Sequence, residues 1–110
     1  MNFQVKTTPD FEKSLKKIAK KHKSILQDFS ILIDKLENEP KLGIPLGHNL
    51  YKIWLNITSF NKGKSGGARV ITYVKVVSKT IFLVEVYLKS EYTSVDEVAI
   101  IAKLSTLDLL

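Results

Sequence analysis

The fold is decided by residues 45–74, which read PLGHNLYKIWLNITSFNKGKSGGARVITYV. This stretch holds the only tryptophan (Trp54) and the only arginine (Arg69) of the chain. Apolar and polar residues alternate from residue 50 and again from residue 68, and this period of two predicts two strands. The glycine- and lysine-rich residues 59–67 predict the loop that joins them.

The strand periodicity also predicts which residues share a face. On the first strand, the face with Ile53 and Leu55 should pack on helices, and Lys52 and Trp54 should lie on the opposite face. A further strand is predicted over residues 80–89, and its nearly continuous apolar run favours a central position covered on both sides. Simple alternation predicts one face with Phe82, Val84, Val86 and Leu88, and another with Leu83, Glu85, Tyr87 and Lys89.

Two helices are predicted upstream of this sheet. Residues 3–6 alternate as a short strand, and Thr8 then has the position of an N-cap. Apolar residues recur with helical spacing to about residue 21. Residues 24–27 (SILQ) fit a capping box that opens a second helix, and Pro40 ends it. The short link between the two helices favours an antiparallel hairpin.

The remaining segments complete the topology. Residues 41–49 contain two glycines and a proline and predict a loop. Residues 94–97 (SVDE) fit another capping box, which opens a C-terminal helix so apolar that it must bury against the sheet or a partner. The predicted order is β-α-α-β-β-β-α, an α+β fold in which an antiparallel meander carries the helical hairpin on one face. Residues 1–110 form one domain in this prediction.

Charge is distributed unevenly along the chain. The net charge is +6, and residues 52–79 contain six basic residues and no acidic one. Such a surface attracts polyanions, although a merely solubilising surface is the alternative. The absence of cysteine excludes disulfides and fits a reducing compartment, so we expect a cytoplasmic protein. The sequence shows no signal peptide and no apolar run of ~20 residues, so we expect no membrane association.

Several basic residues could perform RNA chemistry without a metal. Attack of a 2′-OH on its own phosphate needs cations around the transition state, a base and an acid. Arg69 is the first candidate because its planar guanidinium can bind a phosphate through two hydrogen bonds. The alternative role for Arg69 is an ion pair with Glu85 across the sheet. Lys52 and Lys89 would add charge, and a lysine crowded by cations has a lowered pKa. Tyr92 is a further candidate for proton transfer.

A second set of residues could hold the substrate. Trp54 could stack on a base, and its alternatives are packing or anchoring a protein partner. His48 follows a glycine in a predicted turn, where a backbone hydrogen bond is the commoner role. Isolated histidines and scattered acids make no ligand cluster, so we predict neither a metal nor a cofactor. The full set of candidates for substrate binding is Trp54, Tyr73, Lys62, Lys64 and His48.

Three runs of the chain resemble a known family: PLGHNLYKIWL (45–55), KGKSGGARVITYV (62–74) and VYLKSE (86–91) before a predicted helix. They resemble the RelE/ParE-like toxins of bacterial type II toxin–antitoxin systems, and most closely the branch of RelE- and HigB-like addiction-module toxins. The resemblance covers nearly the whole chain, including the opening strand and the helical hairpin. It implies the RelE/ParE-like α+β fold.

The resemblance also implies an activity and partners. Toxins of this branch are metal-independent endoribonucleases, or mRNA interferases, that cleave mRNA on the ribosome and inhibit translation. A co-expressed antitoxin, typically a small DNA-binding protein encoded by the adjacent gene, holds them inactive. The ParE branch instead poisons DNA gyrase. The alternative is therefore a non-nuclease member of the fold, either a gyrase poison or a degenerate toxin that only binds its antitoxin.

The resemblance assigns roles to single positions of this chain. It implies that Arg69 contacts the scissile phosphate and that Lys52 and Lys89 are basic positions of the same site. Tyr92 falls near the position of the proton donor. Trp54 stands where this branch often has a basic residue.

Overall fold

A computed structural model describes residues 3–58, 67–91 and 95–110 of the protein. Within these residues, five strands form one sheet and three helices cover it. The strands are β1 (Gln4–Thr7), β2 (Ile44–Gly47), β3 (Leu50–Leu55), β4 (Ala68–Lys75) and β5 (Thr80–Leu88). The helices are α1 (Pro9–Ala19), α2 (Ile25–Asn38) and α3 (Glu97–Thr106). None of these helices has the length and apolar character needed to cross a bilayer.

The strands follow the order β1-β5-β4-β3-β2 across the sheet. The predicted meander is confirmed, since β3, β4 and β5 pair antiparallel. β1 joins the other side of β5 in parallel, which makes β5 a central strand as its apolar sequence predicted. The resulting mixed α+β architecture agrees with the predicted fold class.

The prediction of a loop over residues 41–49 is wrong in part, because β2 forms there as an edge strand. It pairs with β3 through a two-residue turn in which His48 and Asn49 have φ of 55° and 63°. Positive φ at both central residues belongs to the turn type whose twist suits a hairpin. Pro45 made this strand hard to predict, but an edge strand tolerates a residue that lacks an N–H.

α1 begins as its sequence predicts. Thr8 is its N-cap, and the Thr8 Oγ1 accepts a hydrogen bond from the Phe11 N–H at 3.3 Å. This bond satisfies one of the N–H groups that a helix leaves open at its start.

The starts of α2 and α3 differ in detail from the predicted capping boxes, and Ser94 of the second box lies outside the described residues. Ser24 precedes α2, but its hydroxyl donates to the Asp28 carboxylate at 3.0 Å and does not cap the helix. α3 begins at Glu97, two residues later than the second box predicts, because the Asp96 carboxylate accepts the Ala99 N–H at 3.2 Å. In both cases an aspartate supplies the stronger, charged acceptor.

Two hydrophobic cores hold the sheet between its helices. The first core joins α1 and α2 to one face of the sheet, as predicted for the face with Ile53 and Leu55. The second core places α3 on the other face, so the apolar C-terminal helix packs against the sheet of its own chain. The buried residues of this second core are Leu50, Ile71, Tyr73, Phe82, Val84, Tyr87, Ile100 and Leu104.

The face assignment predicted for β5 is wrong beyond Val84. The β4–β5 register shifts there, because Thr72 pairs with Leu83 while Ile71 pairs with Glu85. Val84 is therefore an extra residue in β5, a bulge that breaks the alternation. Beyond it, the first core takes Val86 and Leu88, and the second core takes Tyr87.

Candidate functional site

Arg69 occupies the middle of a row of side chains that crosses three strands. Backbone pairing places Arg69 of β4 opposite Trp54 of β3 and opposite Tyr87 of β5. Residues directly opposite each other share a face of the sheet. Because Tyr87 belongs to the second core, this face is the one that carries α3, away from the helical hairpin.

The contacts of Arg69 include one with an aromatic ring and one with the backbone. Its guanidinium carbon lies 5.7 Å from the centroid of the Trp54 ring, within range of a cation–π interaction. Its Nη1 donates to the Ala68 carbonyl oxygen at 3.4 Å. Arg69 is half-buried.

Tyr87 is a member of the row that sequence reasoning missed. Its side chain is only 6% exposed. Burial raises the pKa of the phenol, and the positive charge of Arg69 opposes that shift without cancelling it. The phenol therefore keeps its proton at pH 7. The register of the β4–β5 pair identifies Tyr87 as the neighbour of Arg69. The alternation of residues along a single strand does not predict that register.

Two predicted basic residues lie near Arg69. Lys52 faces Ile71 across the β3–β4 pair, and Arg69 is two residues from Ile71 on the same strand. Such diagonal neighbours lie roughly 7–8 Å apart on one face. Lys89 follows the last residue of β5, and its backbone N–H donates to the Gly67 carbonyl oxygen at 3.2 Å. The structure thus brings Lys52 and Lys89 to the end of the sheet that holds Arg69.

The structure does not bring Tyr73 or His48 to Arg69. Tyr73 lies four residues along β4, about 13 Å away by strand rise. Its ring is 7% exposed and stacks on Phe82 with centroids 6.3 Å apart, so it packs under α3. His48 is exposed in the β2–β3 turn, at the opposite end of β3 from Trp54. Tyr73 shares the face of Arg69 but neither residue lies beside it, and their roles in substrate binding stay predictions.

Three predicted residues lie outside the described part of the chain. Lys62 and Lys64 belong to the segment between Thr58 and Gly67, and Tyr92 follows Glu91. Their roles stay predictions.

Glu85 contacts the helices. Its carboxylate accepts a hydrogen bond from Ser14 of α1 at 3.1 Å and lies 4.0 Å from Lys103 of α3. In the register, Glu85 is opposite Ile71 and not opposite Arg69. These contacts give Glu85 a structural role that the sequence alternative, a pair with Arg69, did not foresee.

A groove of about 460 Å³ lies between α1, β5 and α3. Glu85 and Tyr87 contribute to its floor, so the groove borders the Arg69 row from the side of β5. An ion pair between Asp10 and Lys103, 2.7 Å apart, connects the two helical walls. The hydrogen bond and charge of Lys103 lower the pKa of Asp10, and the hydrogen bond to Asp10 raises the pKa of Lys103.

Within residues 3–58, 67–91 and 95–110, no group of three or more histidine, aspartate or glutamate side chains could hold a metal ion. The Arg69 row offers a guanidinium, a phenol and an indole, and the nearby Lys52 and Lys89 add ammonium groups. Together these groups can bind a phosphate and stack on a ring.

Comparison with known proteins identifies the fold. No protein-family model matches the sequence, and no curated protein matches it. Among solved structures, a mutant of the E. coli toxin RelE in the free state, with two arginines replaced by alanine, is similar with a TM-score of 0.60. The similarity covers 84% of this chain and 90% of the RelE chain at 17% sequence identity. The chain therefore has the RelE-like toxin fold that the three sequence runs predicted.

Proposed function

We propose that this protein is the toxin of a type II toxin–antitoxin module and that it cleaves mRNA on the ribosome without a metal. The observation that carries the proposal is the Arg69 row, Trp54–Arg69–Tyr87, on a RelE-like sheet. A half-buried guanidinium held by an aromatic ring, with two lysines nearby, is suited to a phosphodiester.

The proposed reaction is attack by the 2′-oxygen on the adjacent phosphorus. The 2′-OH loses its proton to a base, the new P–O bond forms, and the 5′-oxygen leaves with a proton from an acid. The products are a 2′,3′-cyclic phosphate and a 5′-hydroxyl end. Arg69 and Lys52 stabilise the extra negative charge of the transition state, and Lys89 and Tyr92 are the candidates for the two proton transfers.

Tyr87 has a supporting role in this scheme. Its raised pKa makes the phenol a poor base at neutral pH. It contributes to the site by packing beside Arg69, so it is a positioning residue. Tyr87→Phe should therefore lower cleavage less than removal of Arg69 does.

The partners of such a toxin are mRNA bound to the cytoplasmic ribosome and an antitoxin. The antitoxin is expected to be a small DNA-binding protein encoded beside this gene. Finding that neighbouring reading frame, and neutralisation of growth arrest by its co-expression, would support this part of the proposal.

The test combines growth with mapping of RNA ends. Expression of the wild type should arrest growth and create new 5′-hydroxyl ends in translated mRNA, detected by primer extension. Arg69→Ala should lower cleavage by roughly 10²–10³-fold, as loss of a charge-stabilising group does elsewhere. Lys35→Ala removes an exposed charge on α2, far from the Arg69 row, and should leave cleavage unchanged. Full cleavage by Arg69→Ala would refute the assigned site.

A non-nuclease member of the fold is the second candidate, and Trp54 favours it. This indole is 63% exposed at a position where a basic residue was expected, and an exposed tryptophan can anchor a protein partner. Growth arrest with DNA damage and no new mRNA ends would select a gyrase poison. No growth arrest, together with tight binding to the neighbouring protein, would select a degenerate toxin.

A further inference from the structure

Trp54 is fixed in place although most of its surface is open to solvent. The side chain is 63% exposed. One neighbour is the Arg69 guanidinium, 5.7 Å from the ring centroid. Gly67 is a further neighbour, and it lies so close to the ring edge that a Cβ there would be 2.7 Å from the Trp54 Nε1. A ring held this way loses little conformational freedom when a ligand stacks on it.

We propose that Trp54 and Arg69 form a binding site for one nucleotide of single-stranded RNA, with the base on the indole and the phosphate on the guanidinium. This inference rests on the proposed function, and it assigns Trp54 a role in choosing the substrate. Stacking on an aromatic ring and charge attraction to the backbone are the two components of single-strand recognition in proteins.

Charge favours RNA as the occupant of this surface. Lys52 lies on the same face as Trp54, two residues earlier in β3. The sequence from residue 52 to residue 79 contains no acidic residue that would repel a phosphate. Basic charge beside an exposed aromatic ring matches a polyanion whose units carry flat rings.

The site should have a preference among bases. Every base has a stacking face, so preferences in such sites follow stacking strength. Purines present the larger face to the indole. We therefore expect purines at the nucleotide held by Trp54, both in short oligonucleotides and at the positions where mRNA is cut.

Trp54 is the only tryptophan, so its fluorescence reports directly on this site. The probes are hexanucleotides with 2′-O-methyl riboses, which bind but cannot be cleaved by 2′-oxygen attack. We would compare a hexa-adenylate, a hexa-uridylate and an abasic hexamer of equal charge at low salt. The adenylate should quench Trp54 and bind roughly 5- to 150-fold tighter than the abasic hexamer, with the uridylate between them.

Variants provide a second readout by anisotropy of a labelled hexa-adenylate. Trp54→Leu should weaken binding by the same factor, and Trp54→Phe should retain most of the affinity. Ile31→Ala alters an apolar residue of α2 that is 56% exposed, outside the proposed site, and should change nothing. Equal affinity for the adenylate and abasic hexamers, or no binding of either, would overturn the inference.

The result separates this inference from the nuclease proposal. Quenching by adenylate without any mRNA cleavage would remove the nuclease and keep the nucleotide site. Cleavage with an unchanged base preference in Trp54→Leu would keep the nuclease and remove the nucleotide site. Quenching by the antitoxin candidate, with no effect of any oligonucleotide, would assign the surface to a protein partner and overturn the inference.

Discussion

Replacement of Thr72 by valine should stabilise this protein. Thr72 lies in β4 and is fully buried. Its Oγ1 has no hydrogen-bond partner among the described residues. A buried hydroxyl without a partner costs about 1–3 kcal/mol, because it gives up its bonds to water and regains none. Valine keeps the shape of the side chain and puts a methyl group in place of the hydroxyl.

The expected gain is about 1–2 kcal/mol, once small differences in packing are allowed for. For a domain of this size, 1 kcal/mol corresponds to a rise in Tm of roughly 4–8 °C. Thr80 provides the matched control, since it is 5% exposed and its Oγ1 donates to the Ser78 carbonyl oxygen at 3.1 Å. Thr80→Val removes that bond and should destabilise by about 0.5–1.5 kcal/mol.

Urea unfolding followed by circular dichroism measures both variants. The midpoint should move up for Thr72→Val and down for Thr80→Val, with an unchanged slope. The opposite signs matter, because the two substitutions are chemically identical. A midpoint for Thr72→Val at or below that of the wild type would refute the reasoning, and it would mean that the hydroxyl is satisfied at the neighbouring β5 bulge.

Three further substitutions test other contacts. Asp10→Asn should cost no more than about 1 kcal/mol at pH 7, because the pair with Lys103 is half-exposed. Since the folded pKa of Asp10 lies below 3.8, thermal melts should show this difference disappearing as the pH falls below that value. Gly67→Ala should destabilise by about 1–2 kcal/mol in urea, because φ is +68°, and should shift the emission of Trp54. Leu104→Ala should cost about 2–5 kcal/mol, and a cost below 1 kcal/mol would contradict the packing of α3 on the sheet.

Local signals predicted the parts of the fold that depend on neighbours in sequence. The alternation in β3 was sufficient to assign Ile53 to the helical face and Trp54 to the other, because the strand is regular throughout. The N-cap of α1 was also readable, since Thr8 bonds to a residue three positions away. The hydroxyl of Thr8 also donates to the Leu83 carbonyl oxygen at 3.1 Å, but donating leaves its oxygen able to accept the local bond.

Distant partners explain the predictions that failed. Ser24 had the position of a capping residue, but its hydroxyl donates a hydrogen bond to the Asp28 carboxylate. The same carboxylate also accepts a hydrogen bond from the Thr58 N–H at 2.9 Å. β2 exists because β3 offers it a paired edge, and the sequence of residues 44–47 alone has little strand character. A pattern of a few residues around Ser24 includes Asp28 but not Thr58, and a pattern around Ile44 does not include the edge of β3.

The positions of the candidate site residues were also predicted only in part. Lys52 and Arg69 were predicted in one site, and they lie on one face because β3 and β4 alternate regularly and pair with each other. His48 was a candidate for substrate binding, but the chain reverses direction at its turn, which lies at the end of β3 away from Trp54. The sequence predicted a loop over residues 41–49 and not the β2–β3 hairpin that sets this position.

The β5 bulge decides which residue stands beside Arg69. If the register continued without a shift from the pair Thr72–Leu83, Val86 would lie opposite Arg69 and Tyr87 would turn towards the helical hairpin. With Val84 as an extra residue, Tyr87 lies opposite Arg69 instead. A polar ring, coupled electrostatically to the guanidinium, thus replaces an aliphatic side chain at the centre of the row. Bulges commonly re-aim a side chain beside a functional site, and here the bulge places Tyr87 in the row that we propose to hold a phosphate and a base.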